Sequence, residues 1–337
     1  MIKKFITSNP VHKKIVPFFD WLMVLRIEKM FIVWPMICIG MYLGDLHDGS
    51  VEVNSTNYNI ETVLFFLGIS FFMSSIFISQ HIYRLPYINS KDIFFDYRKV
   101  FNHKRALLVS DLLAVFGAFI VGFFSFLSFV PLLLLYLLNR YIVKYDKIFS
   151  ISRRSTSLIL NLLTCVALIK AGFHYIQFDS FIFRAISAFN TFPYMLPFIF
   201  SCISVCIFIN IIEFGDRNPK KKYSIASLLC LGSFFIGLIL REPLISVSTI
   251  TVFPFYVFAV IRGESKDVIR SIRYSVLILN FYILTIYPLL FFPLLVTYYL
   301  SKYYNWHRLD YHYPTFLVDD KFTQELNQLT GFRIDEN

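Results

Sequence analysis

TVLFFLGISFFMSSIFISQHIY, residues 62–83, contains no Asp, Glu, Lys or Arg. A helix crossing the hydrocarbon of a bilayer needs about 20 largely apolar residues, and this stretch supplies them. It is bounded by Glu61 and Arg84, so its charges sit only at its ends. The same pattern recurs on both sides. Residues 112–139 are uncharged over a length that suits two short helices turning near Ser125–Pro131. Residues 274–301 have only Arg273 before them and Lys302 after them. Further spans read at 27–44, 155–172, 191–213, 223–240 and 243–261. With 106–126 and 128–144 taken separately, the sequence predicts an all-α polytopic membrane protein, a bundle of nine transmembrane helices.

Composition agrees. Of 337 residues, 57% are hydrophobic and 16% charged, whereas a soluble domain carries about a quarter charged residues. This excludes a soluble enzyme, a disordered chain and a nucleic-acid-binding domain, so the formal charge of +10 needs a membrane explanation. Cytoplasmic loops of membrane proteins are rich in Lys and Arg. With a cytoplasmic N-terminus, alternate loops would hold 25 of the 32 basic residues: in the first segment, around 84–105, around 140–154, at 217–222 and at 262–273. The opposite loop at 45–61 carries Asp45, Asp48, Glu52 and Glu61 and no base. The expected placement is an inner or plasma membrane, N-terminus inside and C-terminus outside. The basic start MIKKFITSNP lacks the apolar core and small-residue cleavage site of a signal peptide. A composition shift near residue 302 separates a membrane domain, 1–302, from a polar and aromatic tail, 303–337, expected on the outer side.

The cysteines and histidines offer no ligand spacing. Cys38, Cys165, Cys202, Cys206 and Cys230 lie in apolar runs and read as small packing residues. Lys170 should snorkel to the outer face. Asn161 and Asn280 read as interhelical hydrogen bonds or cavity-lining groups. Asp111 falls one turn inside a span, where an acid is costly and hints at function, yet it is close enough to the interface to be solvated.

Two inner loops mix acids with bases at helix ends. The first reads IYRLPYINSKDIFFDYRKVFNHKR, residues 82–105. Asn89, Asp92 and Asp96 fall at i, i+3 and i+7, one face of a helix. Two carboxylates with an amide oxygen suit a hard cation such as magnesium. Arg98, Lys99, Lys104 and Arg105 can neutralise phosphates. The second loop reads NIIEFGDRNPKKKYSIAS, residues 210–227. Asn210, Glu213 and Asp216 repeat the three-residue spacing, and Arg217 and Lys220–Lys222 follow. Both loops belong on one membrane face, where they can clamp one diphosphate from two sides. Taken singly, each loop also reads as a solvated interface of ion pairs that contribute little.

Here the chain resembles the UbiA superfamily of intramembrane prenyltransferases. That family has nine helices, an N-D-x-x-D-x-x-x-D motif after the second and a D-x-x-x-D motif after the sixth. INSKDIFFD is similar to the first, with Asp92 and Asp96 matching its second and third acids, Asn89 at the first acid and Ile88 replacing the asparagine. HKRAL resembles the R-P-L element, through Arg105. EFGDRNPKKKYS resembles E-G-D-R-x-x-G-K-x-T, with Asp216 matching the last acid. The earlier acid of that pair falls at Ile212, so Glu213 or Asn210 would substitute. LRIEKMFIVWPM resembles the opening helix, through Arg26, and Arg153 and Arg154 stand where the family carries basic residues in the corresponding loop, near Tyr145. The likeness covers roughly 20–300.

The resemblance implies a magnesium-dependent transferase that ionises an isoprenyl diphosphate and couples the allylic cation to a lipophilic or aromatic, quinone-precursor-like acceptor. Asp92, Asp96 and Asp216 would be catalytic, holding Mg2+ together with Glu213. Arg26, Asn89, Arg98, Lys99, Arg105, Arg153, Arg217 and Lys222 would bind substrate. Beyond these, the expected partners are membrane lipid and no nucleic acid. Two alternatives stand beside it. One is the superfamily's polyprenyl-phosphate phosphoribosyltransferase chemistry. The other is a catalytically degenerate isoprenoid-binding protein, which Asn89 and Ile212 favour. A transporter is disfavoured, because the spans lack paired buried charges and matching Gly/Pro-broken helices.

Overall fold

The computed structural model describes Leu22 and residues 25–47, 60–84, 103–145, 153–176, 192–214 and 219–309. Its regular structure is helical: α1 (Met30–His47), α2 (Ile60–Arg84), α3 (His103–Phe124), α4 (Phe126–Tyr145), α5 (Arg153–Ile176), α6 (Phe192–Phe214), α7 (Pro219–Ile239), α8 (Pro243–Arg262), α9 (Ser265–Ile286) and α10 (Phe291–Leu309). Short 3-10 turns at Ile27–Lys29 and Pro288–Leu290 precede α1 and α10. Seven of these helices, α2, α3 and α5 to α9, are long and apolar enough to cross a membrane, and α1, α4 and α10 contain shorter apolar stretches. The protein is a membrane helical bundle.

Helices consecutive in the chain run antiparallel, and side chains fix the levels. Trp34 donates to Ser70 at 2.9 Å, and the Lys29 ammonium lies 4.6 Å from the centre of the Phe77 ring. Ser75 of α2 meets Ser110 of α3 at 3.2 Å. Ser128 of α4 donates to the Ala171 carbonyl at 2.7 Å, and Ser233 of α7 to the Pro197 carbonyl at 2.6 Å. Tyr42, near the end of α1, donates to Glu242 between α7 and α8 at 3.3 Å, and Asn280 of α9 donates to the Phe31 carbonyl at 2.9 Å, so the two halves of the chain are tied together and these pairs sort the helix ends into two sets. One end of the bundle gathers residues 25–30, the end of α2, the start of α3, the end of α4, the end of α6, the start of α7 and the α8–α9 turn. The opposite end gathers the end of α1, the start of α2, the α3–α4 turn, the end of α5 and the α7–α8 turn. The helix ends that flank the basic loops therefore share one end, in the pattern the charge distribution predicts.

The turn expected near Ser125–Pro131 is the single residue Ser125. Its hydroxyl accepts from the Ser128 amide at 3.3 Å and so caps α4, while Pro131 lies inside α4, near its start.

The ninth span expected over 274–301 is corrected. The run breaks at Tyr287, where φ is −122° and ψ 72°. Pro288 causes this, because a proline pushes the residue before it out of the helical region. The Tyr287 hydroxyl donates to Asp45 near the end of α1 at 3.4 Å, whereas the Tyr298 ring packs edge-on to Phe31 at its start, centroids 6.5 Å apart. α10 therefore runs back along α1 toward the basic end, carrying Lys302 and Arg308 in that direction. A single span ending outside becomes two helices. Helix also continues to Leu309, beyond the expected boundary at 302, and the rest of the tail, 310–337, lies outside the described residues.

The core follows helix faces. Phe65, Ile69, Met73 and Ile76 of α2 are fully buried, as are Ile37 and Ile39 of α1. Large apolar side chains on α3 and α4, including Phe116, Phe119, Phe123 and Leu134, are exposed. In a chain of this hydropathy that is a lipid-facing belt. α1 and α5 approach each other backbone to backbone. A Cβ on Gly40 would fall on the Ile169 carbonyl oxygen and 2.7 Å from the Phe173 amide nitrogen; one on Gly172 would fall on the Ile37 carbonyl.

The end opposite the basic loops holds a buried acid. Glu242, between α7 and α8, accepts a hydrogen bond from the Tyr42 hydroxyl at 3.3 Å. Burial pushes its carboxyl above the usual range, and the Tyr42 bond opposes that rise. The fold therefore binds this proton more tightly than the unfolded chain does. The resulting stability is full below the ordinary glutamate value of about 4.3 and is lost as pH rises through the raised value. Glu242→Gln should flatten the decline in thermal unfolding temperature as pH rises above the ordinary glutamate value of about 4.3. An unchanged decline would assign the pH dependence to other groups.

Candidate functional site at the basic end of the bundle

The residues singled out by sequence divide into three groups. Asn89, Asp92, Asp96, Arg98 and Lys99, with Asp216 and Arg217, lie outside the described residues. Glu213 falls in the last turn of α6 and Arg153 is the first residue of α5, and of these two only the backbone is described. Arg26, Arg105 and Lys222 are described with their side chains, and all three belong to the basic end.

Their surroundings differ. Arg26 adopts a left-handed backbone, φ 56° and ψ 42°, immediately before the Ile27–Lys29 turn. Its side chain is only 5% exposed. The neighbouring Leu25 carbonyl accepts from Ser74 of α2, which holds this stretch against α2. A non-glycine residue with positive φ is uncommon and here accompanies a buried cation, the combination expected where surrounding contacts over-determine the backbone. Arg105 is exposed in the first turn of α3, and Lys222 is half-buried in the first turn of α7. Asn210, one turn before Glu213, is buried.

Polar groups that sequence reasoning weighed also find places. Asp111 forms an ion pair with Arg140 of α4, on the exposed side of the bundle, and accepts from the Tyr136 hydroxyl at 3.3 Å. It serves as an interhelical link. A shallow groove of about 420 Å³ along α3 runs past it, lined by Lys104, Leu107, Leu108, Leu112 and Val115. Asn280 donates to the Phe31 carbonyl at 2.9 Å and to its own Val276 carbonyl at 2.7 Å, so it ties α9 to α1. The Lys170 ammonium lies 5.7 Å from the Phe173 ring centre. All five cysteines are buried, with the Cys202 thiol 3.7 Å from the Met36 sulfur, as packing residues should be.

Two features went unread in the sequence. Gln80 lies one turn before the end of α2. It is 2% exposed, and neither its amide nitrogen nor its amide oxygen has a hydrogen-bond partner. Helical periodicity places it on the stripe of Ile69, Met73 and Ile76, and an amide on an otherwise apolar stripe was the signal. Beside it, Asn139 of α4 donates to Ser79 at 2.7 Å. A buried unpaired polar group costs about 1–3 kcal/mol, so Gln80→Leu should raise the unfolding temperature in detergent. A lowered temperature would mean that the amide makes hydrogen bonds in the folded protein.

The second is Asp267, near the start of α9. It is 2% exposed, 3.3 Å from Arg270 and 3.9 Å from Arg262. The acid–base spacing of three residues on one helix was visible; the burial was not. In the sequence Arg262 and Arg270 read only as charges of an inner loop.

Among the described residues no group of three or more His, Cys, Asp or Glu could hold a metal ion. The proposed ligands Asp92, Asp96 and Asp216 fall outside those residues, and Glu213 is described only in its backbone. Carboxylate oxygens are the hard ligands that magnesium takes, so the residue types fit the ion.

No protein-family model, no curated protein and no solved structure matches the chain.

Proposed function

We propose that this protein is an intramembrane prenyltransferase of the UbiA type. It would move an isoprenyl group from an isoprenyl diphosphate to a lipophilic or aromatic acceptor. The observation that carries this reading is the sorting of helix ends. The end of α2, which leads into the first acid–base loop, and the end of α6, which leads into the second, belong to the same end of a membrane bundle: Trp34–Ser70 and Lys29–Phe77 set α2 against α1, Tyr42–Glu242 puts the α7–α8 turn at the far end of α1, and Ser233–Pro197 sets α6 against α7. Two loops that each carry acids and bases can act on one diphosphate only if they share an end.

Ionisation breaks the bond between the allylic carbon and the diphosphate oxygen, and the electron pair leaves with the diphosphate. The acceptor then supplies the pair for the new bond and gives up a proton. Asp92, Asp96, Glu213 and Asp216 would hold magnesium, whose chemistry when bound is to neutralise the departing charge. Arg98, Lys99, Arg105, Arg217 and Lys222 would bind the diphosphate oxygens, a stabilisation that grows as charge develops. Asn89 would contribute an amide oxygen beside the acids, Arg26 a buried cation at the same end of the bundle, and Arg153 a cation from the start of α5. A helix bundle within lipid excludes the water that would otherwise trap an allylic cation.

Magnesium-dependent release of diphosphate from farnesyl or geranylgeranyl diphosphate, by purified protein in detergent with a mixed pool of quinone precursors, tests the proposal. Release of that kind is the expected result. A degenerate isoprenoid-binding protein is the second reading, favoured by Asn89 and Ile212 where the family carries acids. It predicts lipid binding indifferent to magnesium and no release. Release of diphosphate from a phosphoribosyl donor in place of an isoprenyl one would shift the assignment to phosphoribosyl transfer.

A further inference from the structure

We propose that the outward face of the α7–α8 pair, at the basic end of the bundle, is a binding site for an anionic phospholipid. α7 and α8 are antiparallel neighbours: Ser227 donates to the Tyr256 carbonyl at 3.3 Å, and Cys230 approaches the Thr249 carbonyl at 3.7 Å. On α7 the exposed residues Lys221, Ile225, Leu228 and Phe235 recur at helical spacing. On α8 the exposed residues include Val247, Ile250, Phe258, Ile261 and, at its end, Arg262. Each apolar stripe thus ends in a cation, and both cations lie at the same end. Gly232, midway along the α7 stripe, has open space where a Cβ would stand, which leaves room for an acyl chain against the helix.

The head-group end is built rather than incidental. The buried carboxylate of Asp267 is shared by Arg270 and, at longer range, Arg262. The Arg262 guanidinium also lies 5.2 Å from the Phe258 ring centre, so it is steadied from two sides while remaining half exposed. Lys220 lies along the α8–α9 turn, its Cε 3.7 Å from where a Cβ of Gly263 would be. Among the described side chains of 219–222 and 262–273 there are two acids, Glu264 and Asp267, and six bases, Lys220, Lys221, Lys222, Arg262, Arg270 and Arg273. The excess is positive, and an exposed planar guanidinium suits phosphate oxygens. Cations above an apolar, lipid-facing surface complement a phosphodiester head with acyl chains below it. Basic pockets between helices on the inner side of a membrane bind such head groups. None of this depends on the proposed transfer activity.

The test uses full-length protein in phosphatidylcholine nanodiscs and measures retention of a fluorescent phosphatidylglycerol. Lys221→Gln combined with Arg262→Gln should weaken retention about thirtyfold, from two charges lost at the membrane surface. Lys104→Gln, which removes an exposed cation on α3 at the same end, should leave it within about twofold. Equal losses in the two variants, or no loss in either, would overturn the site in favour of diffuse attraction. Displacement of the probe by inorganic phosphate at millimolar concentration would also overturn it, by making a soluble anion the occupant. If the double variant does not fold, Lys221→Gln alone is read against Lys104→Gln in the same way.

Discussion

Gly172→Ala is expected to unseat α1 from α5 and to remove most folded protein from the membrane fraction. The two helices meet backbone to backbone. A methyl group at Gly172 would fall on the Ile37 carbonyl, 2.9 Å from its carbon, and one at Gly40 would fall on Ile169 and Phe173 backbone atoms. Backbone cannot rotate away as a flexible side chain can, so the helices must separate and lose the packing of Ile37, Ile39, Leu168 and Ile169, all buried. Overpacking of a core costs about 1–3 kcal/mol, and more where backbone must move. Gly40→Ala should act in the same way. Gly122→Ala and Gly232→Ala are the controls, since nothing lies within 4 Å of either added Cβ. They should be neutral or stabilising by roughly 0.5–1 kcal/mol, the helix propensity gained over glycine. Size-exclusion profiles and unfolding temperatures in detergent measure all four. A Gly172→Ala protein as stable as the controls would show that α1 and α5 do not touch as described.

Asp92→Ala and Asp96→Ala should each reduce isoprenyl transfer by at least about a hundredfold, the scale on which removal of one preorganised electrostatic group acts. Expression and unfolding temperature should be unchanged, because neither acid belongs to a span and the helices on either side are held by contacts of their own. The paired readout matters. Lost activity with intact folding places these acids in the chemistry; lost activity with lost folding makes them structural. Full activity in both variants would sink the transferase assignment.

Much of the architecture was legible because hydropathy and charge are properties of short stretches. The uncharged run of α2, a turn near Ser125–Pro131 and the concentration of Lys and Arg in alternate loops each follow from residues adjacent in sequence, though packing alone put that turn at Ser125. The acid–base loops were legible for the same reason: Asn89, Asp92 and Asp96 carry their spacing with them. That reading stays a proposal, since it falls on residues the structure does not describe.

The remainder depends on which faces meet. The run 274–301 contains enough apolar residues for one long span, and only packing shows that Pro288 turns the chain back, with Tyr287 at Asp45 and Tyr298 at Phe31. Gly40 and Gly172 are unremarkable as letters, and their meaning is a crossing between helices far apart in the chain. Gln80 and Asp267 are ordinary polar residues whose burial no local pattern encodes. The sequence by itself determined that this protein is a helical membrane bundle and how its charges are arranged along the chain, because transfer into lipid is decided stretch by stretch. The tertiary structure alone decided which ends gather together, where backbones touch and which polar groups are buried, because those are relations between helices and have no value until the helices pack.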